Sequence, residues 1–216
     1  MKKRIFVVDD HPLIRRGYAY MIGHEPDMEL CGEASTVLEA LGLIPQINPD
    51  LVITDLSLDG MGGIELIKNL QVQLPDLPIL VVSMHDENLY AGRVLRAGAR
   101  GYVQKRGEEA IVVDAIRRVL NGGFSLSESM TKKILLQYQG NHVQAPPSVA
   151  EVLTDRELEI FQGYGRGLST REIGKALHIS PKTVTSHRNN IKAKLAIESS
   201  AELLQRAVQW VQSQEG

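Results

Sequence analysis

The apolar positions in the first half of the chain fall in short unbroken runs. Ile5–Val8, Leu51–Thr54 and Ile79–Val82 are rich in β-branched residues and do not alternate with polar ones. A strand that is apolar on both sides is covered on both sides, as in a parallel sheet. Met28–Glu33 and Gly101–Gln104 are weaker strand candidates. Between them lie helical stretches: Pro12–Met21, Thr36–Gln46, Gly63–Val72, Glu87–Ala97 and Glu108–Leu120. Pro12 suits the first turn of a helix, where a missing N–H costs nothing. Strand and helix alternate five times. The pattern predicts a doubly wound α/β domain on a five-stranded parallel sheet.

Past Gly122-Gly123 the pattern changes. Ser127–Tyr138 is long enough for one more helix, and residues 139–149 then include Gly140, Asn141, Pro146, Pro147 and Ser148. Prolines stop a helix and polar residues keep the stretch in water, so it reads as a linker. The remainder is helical throughout. Thr154 with Glu157, and Ser169 with Glu172, have the spacing of capping boxes, with Gly165–Gly167 breaking the pattern between them. Ser180-Pro181 opens a helix that runs through Leu195, and Ser199–Val211 reads as the last one. The turn between Leu177 and Pro181 is as short as a helix-turn-helix requires. The expected organisation is an α/β domain over 1–121, a linker with one helix over 122–149, and a small all-α domain over 150–216.

Composition narrows the class. A chain of 216 residues accommodates two domains, and 43% hydrophobic with 23% charged residues is ordinary for a folded protein. Residues 1–121 hold 13 Lys/Arg against 17 Asp/Glu, whereas 151–216 hold 9 against 8, so the two halves differ in charge. The single cysteine, Cys31, cannot form an intrachain disulfide and fits a reducing compartment. The apolar run after Met1–Arg4 stops at Asp9, short of the ~7–15 residues of a signal peptide. No run approaches the ~18 apolar residues of a membrane span. A cytoplasmic protein with no membrane partner is expected.

Candidate chemistry lies at the strand ends. In a doubly wound sheet, ligands bind beyond the carboxyl ends of the strands. The first strand ends in Asp9-Asp10, the third in Asp55, the fourth in Ser83 and the fifth in Lys105. Carboxylates crowded together repel, and a divalent cation is the natural means of holding them. A few hard oxygen ligands suit a magnesium ion, Mg²⁺, which keeps several waters. One carboxylate is then placed to attack a phosphoryl group, a reaction that needs mostly positioning and charge neutralisation. Lys105 would neutralise charge and the Ser83 hydroxyl would donate to a phosphoryl oxygen.

The segment Lys2–Leu120 resembles the receiver domain of two-component response regulators. Val7-Val8-Asp9-Asp10-His11, Asp55 after Leu51–Thr54, Val82-Ser83-Met84-His85 and Gly101–Lys105 carry the resemblance. It implies a flavodoxin-like fold, phosphorylation of Asp55, and Mg²⁺ held by Asp9, Asp10, Asp55 and the Ser57 carbonyl. The donor would be a phosphohistidine of a sensor histidine kinase, or a small phospho-donor. Ser83 and Tyr102 would form the switch, the hydroxyl moving toward the phosphoryl group and the aromatic turning inward. Two departures stand out: Leu58-Asp59 where Met-Pro is common, and Arg106 after Lys105 where Pro is common.

The helix Pro181–Leu195 carries Lys182, Arg188, Lys192 and Lys194 with no acidic residue, and Val184, Ile191 and Leu195 form its apolar stripe. Such a helix suits a major groove. On position, Thr185, Ser186 and Asn189 would read base edges, while Lys182, Thr183, Arg188 and Lys192 would meet phosphates of double-stranded DNA. Leu153–Glu157, Gly167–Ile173, Ile179–Val184 and Ile191–Leu195 resemble the LuxR-type helix-turn-helix. A receiver followed by this domain resembles the NarL/FixJ type of regulator, a transcription regulator and not an enzyme. Gly174 stands where Ala is usual, and Thr185 where Lys is common. One small domain gives little affinity, so a homodimer on paired half-sites is expected. Ala201, Leu204, Val208 and Val211 of the last helix suit either a dimer surface or core. Two other readings stay open on sequence alone: a Mg²⁺-dependent phosphohydrolase using Asp55, and an interaction module that never binds DNA. Short loops throughout the first half argue against the hydrolase.

Overall fold

The computed structural model describes residues 1–58, 62–105, 108–138 and 149–215. Asp59, Arg106 and residues 139–148 of the expected linker lie outside the described residues. The chain divides into two compact units, Met1–Asn141 and His142–Gly216.

The first unit contains β1 (Lys3–Val8), α1 (Pro12–Gly23), β2 (Met28–Ala34), α2 (Val37–Ile47), β3 (Leu51–Thr54) and α3 (Gly63–Gln73). It continues with β4 (Ile79–Ser83), α4 (Glu87–Ala97), β5 (Gly101–Gln104), α5 (Glu109–Leu120) and α6 (Glu128–Tyr138). The strands form one parallel sheet in the order β2-β1-β3-β4-β5. Because side chains alternate across a pleated strand, each strand feeds two layers. Ile5, Val7, Leu51, Ile53, Leu80, Val82 and Val103 pack with Tyr18, Met21 and Ile22 of α1 and Val112, Val113 and Ile116 of α5. Strands β3 and β4 are buried along their whole length, as their unbroken apolar runs predict.

Helix ends follow local chemistry. Thr36 and Asp86 cap α2 and α4 by accepting from the backbone N–H groups of Glu39 and Asn88. Helix α2 runs through Pro45 and ends at Asn48, which takes the left-handed conformation at φ 52°. The chain does not leave the first unit at Asn121. Gly101 of β5 bridges to Ser125, and the Tyr102 N–H donates to the Ser125 carbonyl at 2.8 Å. The Ser127 N–H donates to Glu87 Oε1 at 3.0 Å, and Met130 of α6 is buried.

The second unit holds α7 (Val149–Val152), α8 (Asp155–Gly165), α9 (Thr170–Ala176), α10 (Pro181–Lys194) and α11 (Ser200–Glu215). Both capping boxes form: Thr154 and Ser169 accept from the N–H groups of Glu157 and Glu172, whose carboxylates accept in return. Ile160, Phe161, Ile173, Val184, Ile191, Leu203 and Ala207 make the core. The α9–α10 turn is tight. His178 is left-handed at φ 52°, and a methyl group at Gly174 would meet the Ile179 carbonyl oxygen at 2.8 Å. Glycine there lets the turn fold back onto α9, which offsets its poor helix propensity. Of the last helix's apolar stripe, Ala201 and Leu204 are exposed and Val208 and Val211 half-buried, while Leu203 and Ala207 face the core. Among the described residues no helix is long and apolar enough to cross a membrane.

Candidate functional site

Register brings the strand ends together. Val8 pairs with Thr54, and the pairing continues one step further as the Asp55 N–H donates to the Val8 carbonyl at 3.0 Å. Ser83 pairs with Gln104, and the Lys105 N–H donates to the Ser83 carbonyl at 2.9 Å. Asp9, Asp55, Ser83 and Lys105 thereby stand along one rim of the sheet. The start of α3 closes on it: the Gly63 N–H donates to the Leu56 carbonyl, and a Cβ on Gly63 would lie 2.0 Å from the Asp55 carbonyl oxygen.

The Lys105 ammonium donates to Asp9 Oδ2 and to Asp55 Oδ2, each at 2.6 Å. Both carboxylates are buried, Asp9 being 1% and Asp55 5% exposed. Burial alone would lower the Lys105 pKa, but the charges of Asp55 and Asp9 and their hydrogen bonds outweigh it and raise the value. Asp9 Oδ1 accepts from the His11 N–H at 2.9 Å, and Asp55 Oδ1 from the Leu56 N–H at 2.6 Å. Asp10 lies beside the exposed His11 imidazole, Oδ1 to Nδ1 2.6 Å. Among the described residues, one group of three potential ligand residues, Asp9, Asp10 and His11, brings donor atoms within 4.8 Å of one another. Asp55 is not in this group; it shares the Lys105 ammonium with Asp9. The donor set is mostly carboxylate oxygen, the chemistry of a hard divalent cation.

The expected switch residues adjoin the rim. Ser83 is fully buried, and its Oγ accepts from the His85 N–H at 3.4 Å. Tyr102 is turned inward and buried, its hydroxyl donating to the His85 carbonyl at 2.8 Å. Burial pushes the Tyr102 phenol above its ordinary pKa, opposed by the nearby Ser83 hydroxyl. Ser57 Oγ and His85 Nε2 lie 2.7 Å apart. His85 thus links the loop after Asp55 to Tyr102. In sequence His85 is marked only by its place in Val82-Ser83-Met84-His85, two residues past the fourth strand end.

In the second unit, α10 presents Lys182, Thr183, Ser186 and Asn189 to solvent, with Thr185, Arg188 and Lys192 half-buried. Ser180 caps the helix by accepting from the Thr183 N–H, and the Thr183 hydroxyl lies 2.7 Å from Ser180 Oγ. The Thr185 hydroxyl donates back to the Pro181 carbonyl at 3.0 Å. The Lys194 ammonium donates to buried Glu157 at 2.7 Å, tying α10 to α8. Burial works to raise the Glu157 pKa, but Lys194 and the Thr154 hydrogen bonds win and lower it.

A parallel sheet in this order with an acidic rim, followed by a helix-turn-helix, defines a receiver-type signalling protein with a nucleic-acid-binding output. Residues 5–117 match the response regulator receiver domain, and residues 151–207 match the bacterial regulatory proteins of the luxR family. The chain belongs to the two-component response regulators with a LuxR-type DNA-binding domain, and it is a transcription regulator rather than an enzyme. It is 36% identical to the transcriptional regulatory protein LiaR of Bacillus subtilis, over 90% of this chain and 91% of that protein. RcsB from Salmonella enterica serovar Typhimurium, bound to promoter P1flhDC with the phosphomimetic BeF3−, is similar in structure. The TM-score is 0.58 at 25% identity, over 95% of this chain and 97% of that one. A structure of two RcsB dimers bound to two parallel DNAs matches with the same TM-score, identity and coverage. Family membership sets aside the hydrolase and the interaction module.

Proposed function

We propose that Asp55 accepts a phosphoryl group and that its occupancy controls DNA binding by α10. The observation that carries this reading is the convergence of Asp9 and Asp55 on Lys105 Nζ at the sheet rim. Asp9, Asp10, Asp55 and the Ser57 carbonyl would hold Mg²⁺, which suits their hard oxygen donors. When bound, the ion supplies charge neutralisation for the incoming phosphoryl oxygens. An Asp55 carboxylate oxygen attacks phosphorus, and the P–N bond to the donor imidazole of a sensor histidine kinase breaks, its electron pair staying on nitrogen. Lys105 is already at the reacting carboxylate and turns one N–H to the arriving group. Ser83 donates its hydroxyl to a phosphoryl oxygen, with Tyr102 already packed inward behind it. The phosphate shifts the population only by its preference for one of two packings.

On DNA, Thr185, Ser186 and Asn189 read base edges and Lys182, Thr183, Arg188 and Lys192 contact phosphates. The RcsB structures on DNA support a homodimeric mode of binding, with Ala201, Leu204 and Val208 available on α11. We assign 1–121 to the receiver, 122–149 to the linker and 150–216 to the DNA-binding domain, in a cytoplasmic protein. The test compares operator affinity with and without a small phospho-donor and Mg²⁺, for the natural protein and for Asp55→Ala. Affinity should rise in the first and stay flat in the second. An equal rise in both would overturn the gating.

A further inference from the structure

Asp9 has every polar atom engaged. Its N–H donates to the Ala34 carbonyl at 3.1 Å, Oδ1 takes the His11 N–H and Oδ2 takes Lys105. Its carbonyl oxygen takes a side chain from outside the rim: Arg15 of α1, whose Nη1 donates at 2.6 Å. The Nε of the same guanidinium donates to Glu33 Oε1 on β2 at 3.3 Å. The Arg15 side chain is only 15% exposed. The planar fork is therefore held at two points, and it fixes the peptide plane joining Asp9 to Asp10. That plane sets where the Asp10 side chain leaves the backbone.

We infer that Arg15 is a positioning residue for the Asp9–Asp10 pair, holding the β1–α1 turn in the geometry that accepts a divalent cation. The inference rests on the proposal that these carboxylates hold Mg²⁺. Two effects of Arg15 oppose each other. A fixed positive charge behind the site repels a second cation, so by charge alone its loss would tighten Mg²⁺ binding. Its hydrogen bond orders a ligand backbone, so by positioning its loss weakens binding. Removal of such outer partners costs about 10–100-fold in metal affinity. Glu33 Oε1, 3.3 Å from the Arg15 Nε, offsets much of that positive charge, so little repulsion is left at the site. Positioning decides the sign.

The experiment titrates Mg²⁺ into the full chain by calorimetry, for the natural protein, Arg15→Ala, Arg15→Gln and Arg15→Lys. Phosphorylation by acetyl phosphate is followed in parallel across Mg²⁺ concentrations. Arg15→Ala should weaken Mg²⁺ binding about tenfold. Its phosphorylation should recover at saturating Mg²⁺, which a general loss of structure would not allow. Arg15→Gln lacks the charge but keeps a donor, and Arg15→Lys keeps both in part; each should restore a share of the affinity. Glu33→Gln, at a half-exposed position, removes the second anchor without emptying the turn and should weaken binding in the same direction by less. If Arg15→Ala does not fold, this variant and Arg15→Lys carry the test. Unchanged or tighter Mg²⁺ binding in the folded variants overturns the role of Arg15. Absence of Mg²⁺ binding in the natural protein overturns the cation reading itself, and this inference with it.

Discussion

Replacing Lys105 by methionine tests the electrostatics of the rim. Asp9 Oδ2 and Asp55 Oδ2 are each 2.6 Å from the same nitrogen, so they stand no more than about 5 Å apart. With the ammonium gone, two buried carboxylates face each other unscreened. At an effective dielectric of about 20, like charges about 5 Å apart repel by about 3 kcal/mol. Removing one partner of a buried ion pair costs about 3–5 kcal/mol by the same physics. Lys105→Met should therefore destabilise the first unit by about 3 kcal/mol at neutral pH. Mg²⁺ should reduce the deficit, by putting positive charge back between the two acids. Urea unfolding followed by far-UV circular dichroism reads both units, while the only tryptophan, Trp210, lies in the second and reads that unit alone. A Lys105→Met protein as stable as the natural one, or a deficit that ignores Mg²⁺, refutes the reasoning.

Other outcomes follow from the same structure. The raised Lys105 pKa gives stability that is present below the ordinary lysine value of 10.5 and is lost as pH rises through the higher folded value, so the first unit should loosen in strong alkali. Glu157 runs the other way: its contribution is present above the ordinary 4.5 and is lost as pH falls through its lower folded value, which Trp210 fluorescence should report. Glu157→Ala removes a capping box and the Lys194 contact, and should cost the second unit about 1–2 kcal/mol in urea unfolding. Gly101→Ala would set a methyl 2.8 Å from Leu80 Cδ1 and 2.9 Å from the Ser125 carbonyl, and should destabilise the first unit by about 1–3 kcal/mol. Lys182→Ala should weaken binding to all DNA sequences alike and flatten the salt dependence by about one unit of slope, whereas Asn189→Ala should alter preference among sequences.

Most of the sheet was legible because β1, β3 and β4 declare themselves by unbroken apolar runs, and the rim residues follow directly as strand-end positions; β2 and β5, with polar residues inside them, gave weaker signals. The helices of the second unit were legible through their caps, since Thr154, Ser169 and Ser180 act within four residues of themselves. What sequence could not reach depends on distant contacts. It placed Lys105 against an incoming phosphoryl group, but only the fold puts its ammonium between Asp9 and Asp55. Arg15 belongs to no local pattern, because its partners are a carbonyl six residues back and a carboxylate on another strand. The segment after Asn121 reads as linker, yet Ser125 pairs with β5 and Ser127 with α4, contacts that leave no periodic trace. The Thr185 hydroxyl, expected at base edges, is engaged with the Pro181 carbonyl, a detail of helix geometry rather than of composition.

The phosphoryl acceptor can be located directly. The full chain is incubated with acetyl phosphate and Mg²⁺, the acyl phosphate is trapped by borohydride reduction, and the peptides are mapped by mass spectrometry. The account predicts a single reduced aspartate at Asp55, dependent on Mg²⁺ and abolished by Asp55→Ala. Modification at another carboxylate, or none at Asp55 while the chain still responds to the donor in DNA binding, contradicts it.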